Sequence, residues 1–215
     1  INVIADMFDL GQAQNIIRAL SRIQLKAADG DESDLPTDVS LIDLVGLTHS
    51  DQFKANQWWL QPKFGMLRVP IGIGTHGILW FDLNDQVHGP HGIIAGTTGA
   101  GKSELLQSII VGLAMTHHPH LVNFVLVDFK GGAAFKPFEH IPHTVGMVSD
   151  LSGKLTERAL IALKSELRRR EHVLSSTNAK NISEYIALRA QSPNDIDPLP
   201  HLFIIIDEFA ELAKE

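Results

Sequence analysis

Eight consecutive residues, Gly96-Thr97-Thr98-Gly99-Ala100-Gly101-Lys102-Ser103, fit the pattern Gly-x-x-x-x-Gly-Lys-Ser/Thr. Their flanks narrow the reading further. Residues 92–95 (Gly-Ile-Ile-Ala) read as a short apolar strand and residues 103–115 as a helix, so the glycine-rich turn is expected to join a strand to a helix. In that setting glycines let the backbone wrap closely around an anion, and consecutive N–H groups and the positive helix terminus all point at it. Lys102 is placed to neutralise β and γ phosphates, and the Ser103 hydroxyl to hold magnesium. The plain alternative is a strand-to-helix turn with an incidental lysine, and the context on both sides argues against it.

The rest of the chain agrees with a fold built around such a loop. Residues 121–127 and 201–206 are continuous apolar strands, and residues 154–176 and 181–191 read as helices. Strands that alternate with helices and are apolar on both faces indicate an α/β fold with a parallel sheet. Upstream, Gly72, Gly74 and Gly77 punctuate the Val/Ile-rich runs of residues 67–83, which suggests a hairpin. Asp9 and Gln12 resemble a capping box, and Ala13, Ile16, Ile17 and Leu20 recur on one helical face, so an amphipathic helix is expected to open the chain. The acidic stretch 29–38 reads as a linker.

Composition removes several classes. The absence of Cys excludes a disulfide scaffold and a Cys-ligated zinc site, and a net charge of −7 leaves no basic nucleic-acid footprint. The apolar run 202–206 is far shorter than the roughly 20 residues of a spanning helix, so this segment is expected to be soluble.

A magnesium site of this type draws a carboxylate from the end of a neighbouring apolar strand. Phe203-Ile204-Ile205-Ile206-Asp207-Glu208 supplies one, with Asp207 toward the metal and Glu208 as the general base for an attacking water. An acidic helix N-terminus is the bland alternative. Asp128 and Lys130, in the run Val127-Asp128-Phe129-Lys130-Gly131-Gly132, sit at another strand end, as a ligand contact or a surface ion pair. Arg168-Arg169-Arg170 lies on the long helix, whose buried stripe is expected to be Leu163, Leu167 and Leu174; the triplet is either a solvated face or an arginine finger for an adjacent subunit. His117, His118 and His120 fall in a helix-to-strand loop and read as solvated, with His140 and His143 nearby in sequence, and Trp58-Trp59 reads as a packing anchor.

These residues together carry a resemblance. The loop followed by Glu104-Leu105-Leu106, the Asn123 to Gly132 run, Glu166 to Arg170, Leu199-Pro200 and Asp207-Glu208-Phe209 resemble the FtsK/SpoIIIE-type P-loop ATPases. The closest likeness is to the first ATPase domain of the type VII secretion ATPases, the EccC and EssC proteins. The resemblance implies a RecA-like core with a mainly parallel sheet, and ATP and Mg2+ held by Gly96, Thr97, Thr98, Gly99, Ala100, Gly101, Lys102, Ser103 and Glu104. Catalysis would rest on Lys102 and Glu208, with Ser103 and Asp207 at the metal and Arg169 or Arg170 as the finger. It implies a lead-in helix and acidic linker over residues 1–38 and an ATPase domain over 39–215. That domain stops after the Walker B strand, so it is C-terminally incomplete, and catalysis by this piece alone is expected to be absent or very slow. The implied setting is a hexameric ring of neighbouring ATPase subunits on the cytoplasmic side of the membrane, with a membrane anchor upstream. There, other membrane proteins of the secretion complex would be its partners and small helical proteins its exported substrates, with no direct nucleic acid. A DNA-pumping translocase and an ATP-binding regulatory domain of a larger motor are the alternatives.

Overall fold

In the computed structural model of this chain the described residues are 35–36, 38–60, 67–128, 134–149 and 153–208. The expected opening helix and most of the acidic linker therefore lie outside them, as do Phe129, Lys130, Gly131 and Gly132. Two short helices come first, α1 (Leu41–Leu44) and α2 (Ala55–Leu60). Ser40 starts α1 by accepting the N–H of Asp43 on its hydroxyl. From α2, Trp59 donates its indole N–H to the carbonyl of Ala114 at 2.9 Å, which makes it the anchor the sequence suggests.

The expected hairpin is present as β1 (Arg68–Gly74) and β2 (Gly77–Asp82), paired antiparallel from Arg68↔Asp82 to Gly74↔Gly77. Its register slips between Pro70 and Gly72, where proline has no N–H to give the ladder. The hairpin packs on α3 (Lys102–Thr116), and the approach is close: a Cβ on Gly112 would lie 3.2 Å from Val69 Cγ1. Glycine at this position lets the strand cross the helix.

The main sheet is parallel, in the order β4-β3-β5, formed by β3 (Val122–Asp128), β4 (Thr144–Val148) and β5 (His201–Asp207). Side chains alternate along β3. Val122, Phe124 and Leu126 meet Ile109, Ile110 and Leu113 of α3 in the buried core, while Asn123 and Val125 face the long helix α4 (Gly153–Ser176) across a groove of about 480 Å³. The far end of α4 joins α5 (Ile182–Gln191) in a smaller cluster around Ala179, Tyr185 and Leu199. Among the described residues, no helix is long and apolar enough to cross a membrane.

Three expectations need correction, and one strand went unread. Residues 92–95 form no strand and pair with none among the described residues; Ile94 packs against the core, whereas Ile93 is 90% exposed, so only part of the apolar run is used. Strand β4 was not legible, because Gly146 interrupts a five-residue run too short to announce itself. On α4 the sheet-facing residues are Ala159, Ala162, Leu163, Glu166 and Arg170, which leaves Leu167 61% exposed instead of buried. The loop histidines are not uniformly solvated. His117 and His143 are both buried, His117 Nε2 accepts the N–H of Leu67 at 3.0 Å, and His143 Nε2 bonds the carbonyl of His117 at 2.7 Å. They tie the end of α3 to β1 and to the start of β4, where a solvated ring could not reach.

Candidate nucleotide site

The loop ahead of α3 takes its shape from two glycines in the left-handed region, Gly99 at φ 80° and Gly101 at φ 83°. A side chain there would be strained. Gly101 is the N-cap of α3 and offers no capping side chain, so the first N–H groups of the helix are left directed at the mouth of the loop. Lys102 folds back over that mouth, its Nζ donating to the carbonyls of Gly96 and Thr97, both at 3.0 Å. The ammonium thus lies on the loop itself, the position from which it can turn toward an anion. Thr97, Thr98 and Ala100 are exposed around it, and Glu104 is exposed in the first turn of α3.

Ser103 and Asp207 are 104 positions apart in sequence and meet here, Ser103 Oγ donating to Asp207 Oδ2 at 2.7 Å. The parallel register of β5 on β3 brings them together, since it ends at Asp128↔Asp207 and so presents the carboxylate of β5 to the first turn of α3. A hydroxyl and a carboxylate in contact are hard oxygen donors of the kind magnesium takes, so the residues present fit that ion. Glu208 follows with φ 57°, a left-handed conformation uncommon outside glycine, and its N–H donates to Asp207 Oδ1 at 3.0 Å. The two acidic residues are therefore locked to one another at the strand end.

Asp128, almost fully buried, sits beside Asp207 and accepts the N–H of Ala134 on Oδ2 at 3.0 Å. Sequence reasoning missed Gln107, one turn after Ser103, whose amide donates to the carbonyl of Ala134 at 3.0 Å. Its spacing of i+4 from Ser103 is the signal that could have pointed to it.

The arginines lie elsewhere. Glu166 receives Arg169 through two hydrogen bonds at 2.7 and 2.8 Å and Arg170 through one at 2.8 Å, and Arg170 also donates to the carbonyl of Pro200 at 2.7 Å. The Arg169 hydrogen bonds are the chief reason the Glu166 carboxyl is held below its ordinary range. Pro200 precedes β5 and Asp207 ends it, so this cluster is about 23 Å along the strand from the carboxylate of its own loop. Arg169 is the more accessible, its side chain 53% exposed against 15% for Arg170.

Beside Arg170, burial and then the arginine charge push the His201 imidazole down to about 4. A free histidine titrates near ~6.5, so on acidification the unfolded chain takes up its proton first. The contribution to stability is intact above about pH 6.5 and fades as pH falls toward 4, by an amount on the order of 3 kcal/mol. His118 and His143 are displaced in the same direction by burial. Urea unfolding at pH 7.5 and at pH 4.5 is expected to show this loss, with a smaller difference in His201→Gln; an equal difference would assign it to other groups.

The family model for the FtsK/SpoIIIE family matches residues 50–214. The chain is 38% identical over 190 residues to the ESX secretion system protein EccC of Geobacillus thermodenitrificans, covering 86% of this chain and 13% of that protein. It is 39% identical over 183 residues to the type VII secretion system protein EssC of Staphylococcus aureus (strain Mu50), covering 84% and 12%. Among solved structures it resembles the cytoplasmic domain of the Thermomonospora curvata type VII secretion ATPase EccC, with a TM-score of 0.75, 37% identity and coverage of 83% of this chain and 22% of that one. The chain thus spans about an eighth of the length of the curated relatives it matches. The loop, the strand-end carboxylates and the matched length agree, and the chain belongs to the FtsK/SpoIIIE family.

Proposed function

We propose that this chain is an ATP-binding and ATP-hydrolysing motor domain, spanning residues 39–215, of a type VII secretion ATPase that drives export of small helical proteins. The observation that carries the reading is the contact between Ser103 and Asp207 at 2.7 Å, directly behind a loop whose lysine lies over its mouth. In this reading Gly96 to Gly101 present backbone N–H groups to the phosphates, Glu104 borders the nucleotide, and Lys102 leaves the Gly96 and Thr97 carbonyls to neutralise the β and γ phosphates. Ser103 and Asp207 would hold Mg2+, which when bound neutralises phosphate charge and orients the leaving group. Glu208 would take the proton of the attacking water.

Arg169 or Arg170 would act as a finger toward the site of a neighbouring subunit or domain in a hexameric ring. Their distance along β5 from Asp207 supports action in trans over action on their own loop. Mixing an Arg169→Ala/Arg170→Ala chain with a Lys102→Ala chain is then expected to restore part of the lost hydrolysis through hybrid sites, and no recovery at any ratio would count against the finger. The proposed setting is the cytoplasmic side of the membrane among the other membrane proteins of the secretion complex.

The cargo is tested by DNA. Non-specific DNA binding needs clustered Lys and Arg and falls steeply with salt, whereas this chain carries −7 and holds Arg169 and Arg170 on Glu166. Duplex DNA is expected to bind at about 10⁻⁴ M or weaker at physiological salt and to leave ATP turnover unchanged. Micromolar binding with a steep salt slope, or turnover accelerated by DNA, would favour a DNA translocase.

A further inference from the structure

The backbone of Ala134 is held on both sides of its Cα. Its N–H is donated to Asp128 Oδ2 at 3.0 Å, and its carbonyl accepts the Gln107 side-chain amide at 3.0 Å. Asp128 ends β3 and is 3% exposed; Gln107 belongs to α3, one turn beyond the Ser103 that bonds Asp207. Phe135, the next residue, is fully buried in the core against which α3 packs, so Ala134 is fixed by its neighbour as well. The result is a bridge from the helix that carries Ser103, through one backbone unit, to the strand end that lies in register with Asp207.

From this we infer that Gln107 and Asp128 are positioning residues for the reaction: their shared grip on Ala134 fixes the end of β3 against α3 and so sets how Ser103 and Asp207 meet. The inference rests on the nucleotide-site reading above. Both hydrogen bonds run to the backbone of Ala134, between α3 and the end of β3, so the bridge governs the alignment of Ser103 with Asp207 more than the grip on nucleotide. Loss of one such hydrogen bond has the scale of about tenfold in rate when it is felt only at the reacting geometry.

The test uses the full-length protein that carries this domain, with ATP and Mg2+, measuring kcat, KM and calorimetric ATP affinity. Gln107→Met keeps length and volume while removing the donor, and is expected to lower kcat about tenfold with KM and affinity unchanged. Asp128→Asn retains an acceptor for the Ala134 N–H and is expected to keep more turnover than Asp128→Ala. Thermal melting identifies any variant that fails to fold, and the half-exposed Gln107 is the position least exposed to that risk. Parental kcat in Gln107→Met, or kcat and affinity falling in proportion, would overturn the proposal. Lys102→Ala in the same assay separates the two levels. If it loses ATP while Gln107→Met turns over at the parental rate, only the bridge fails; if it binds ATP as the parent does, the nucleotide-site reading fails and the bridge with it.

Discussion

Glu208→Gln is expected to reduce ATP turnover by about 10²–10⁴ while ATP affinity stays near the parental value. Glutamine has the size and shape of glutamate but cannot take a proton, so the change removes a base and little else. The local backbone favours a clean result. Glu208 is fixed at φ 57° with its N–H on Asp207 Oδ1, and these constraints do not involve the acid function of its side chain. Ground-state contacts to the phosphates would come from the loop and Lys102, which the substitution leaves untouched. Phosphate release and calorimetric ATP binding, measured in the full-length protein that carries this domain, should therefore separate. Turnover at the parental rate would remove Glu208 from the role of base.

The two halves of the site were legible for different reasons. Gly96 to Ser103 is a contiguous run whose glycines answer a local demand, and Gly99 and Gly101 do occupy the left-handed region that demand predicts. Asp207 and Glu208 stood out because five apolar residues end in two acids, a pattern that marks a strand edge. That Asp207 shares a metal with Ser103 was an expectation of the resemblance; the direct hydrogen bond between them was not legible, since it depends on β5 lying parallel to β3 in a particular register. The same holds for Gln107 and Asp128, which are joined only through the backbone of Ala134.

Fold elements divided along a similar line. Long periodic segments such as α4 and continuous apolar strands such as β3 were readable within a residue or two, because each buries enough of itself to impose a pattern. Strand β4 gave no such signal, with a glycine at its centre. Leu167 misled because helical spacing defines a stripe without saying which way it turns; Glu166 and Arg170, paired with each other, occupy the sheet-facing side. His117 and His143 were hidden for the opposite reason. A histidine in a polar loop sequence carries no mark of burial, which comes here from hydrogen bonds to the backbone of Leu67 and of His117 itself.

Binding of a magnesium nucleotide by residues 96–103 would depend most on Lys102. Its ammonium rests on two backbone carbonyls at 3.0 Å, so removing it leaves no buried charge behind, and alanine is well tolerated in the first turn of a helix. What would be lost is the charge-assisted hydrogen bonding of Lys102 to phosphate oxygens, about 1.5–3 kcal/mol for each bond. Affinity should accordingly fall by about 10²-fold or more. The direct measurement is a calorimetric titration of ATP with Mg2+ into the full-length protein that carries this domain and into its Lys102→Ala variant, with melting curves to show that both are folded. Saturable binding by the parent and none detectable by Lys102→Ala is the predicted result; equal affinity in the two would contradict the assignment of the loop.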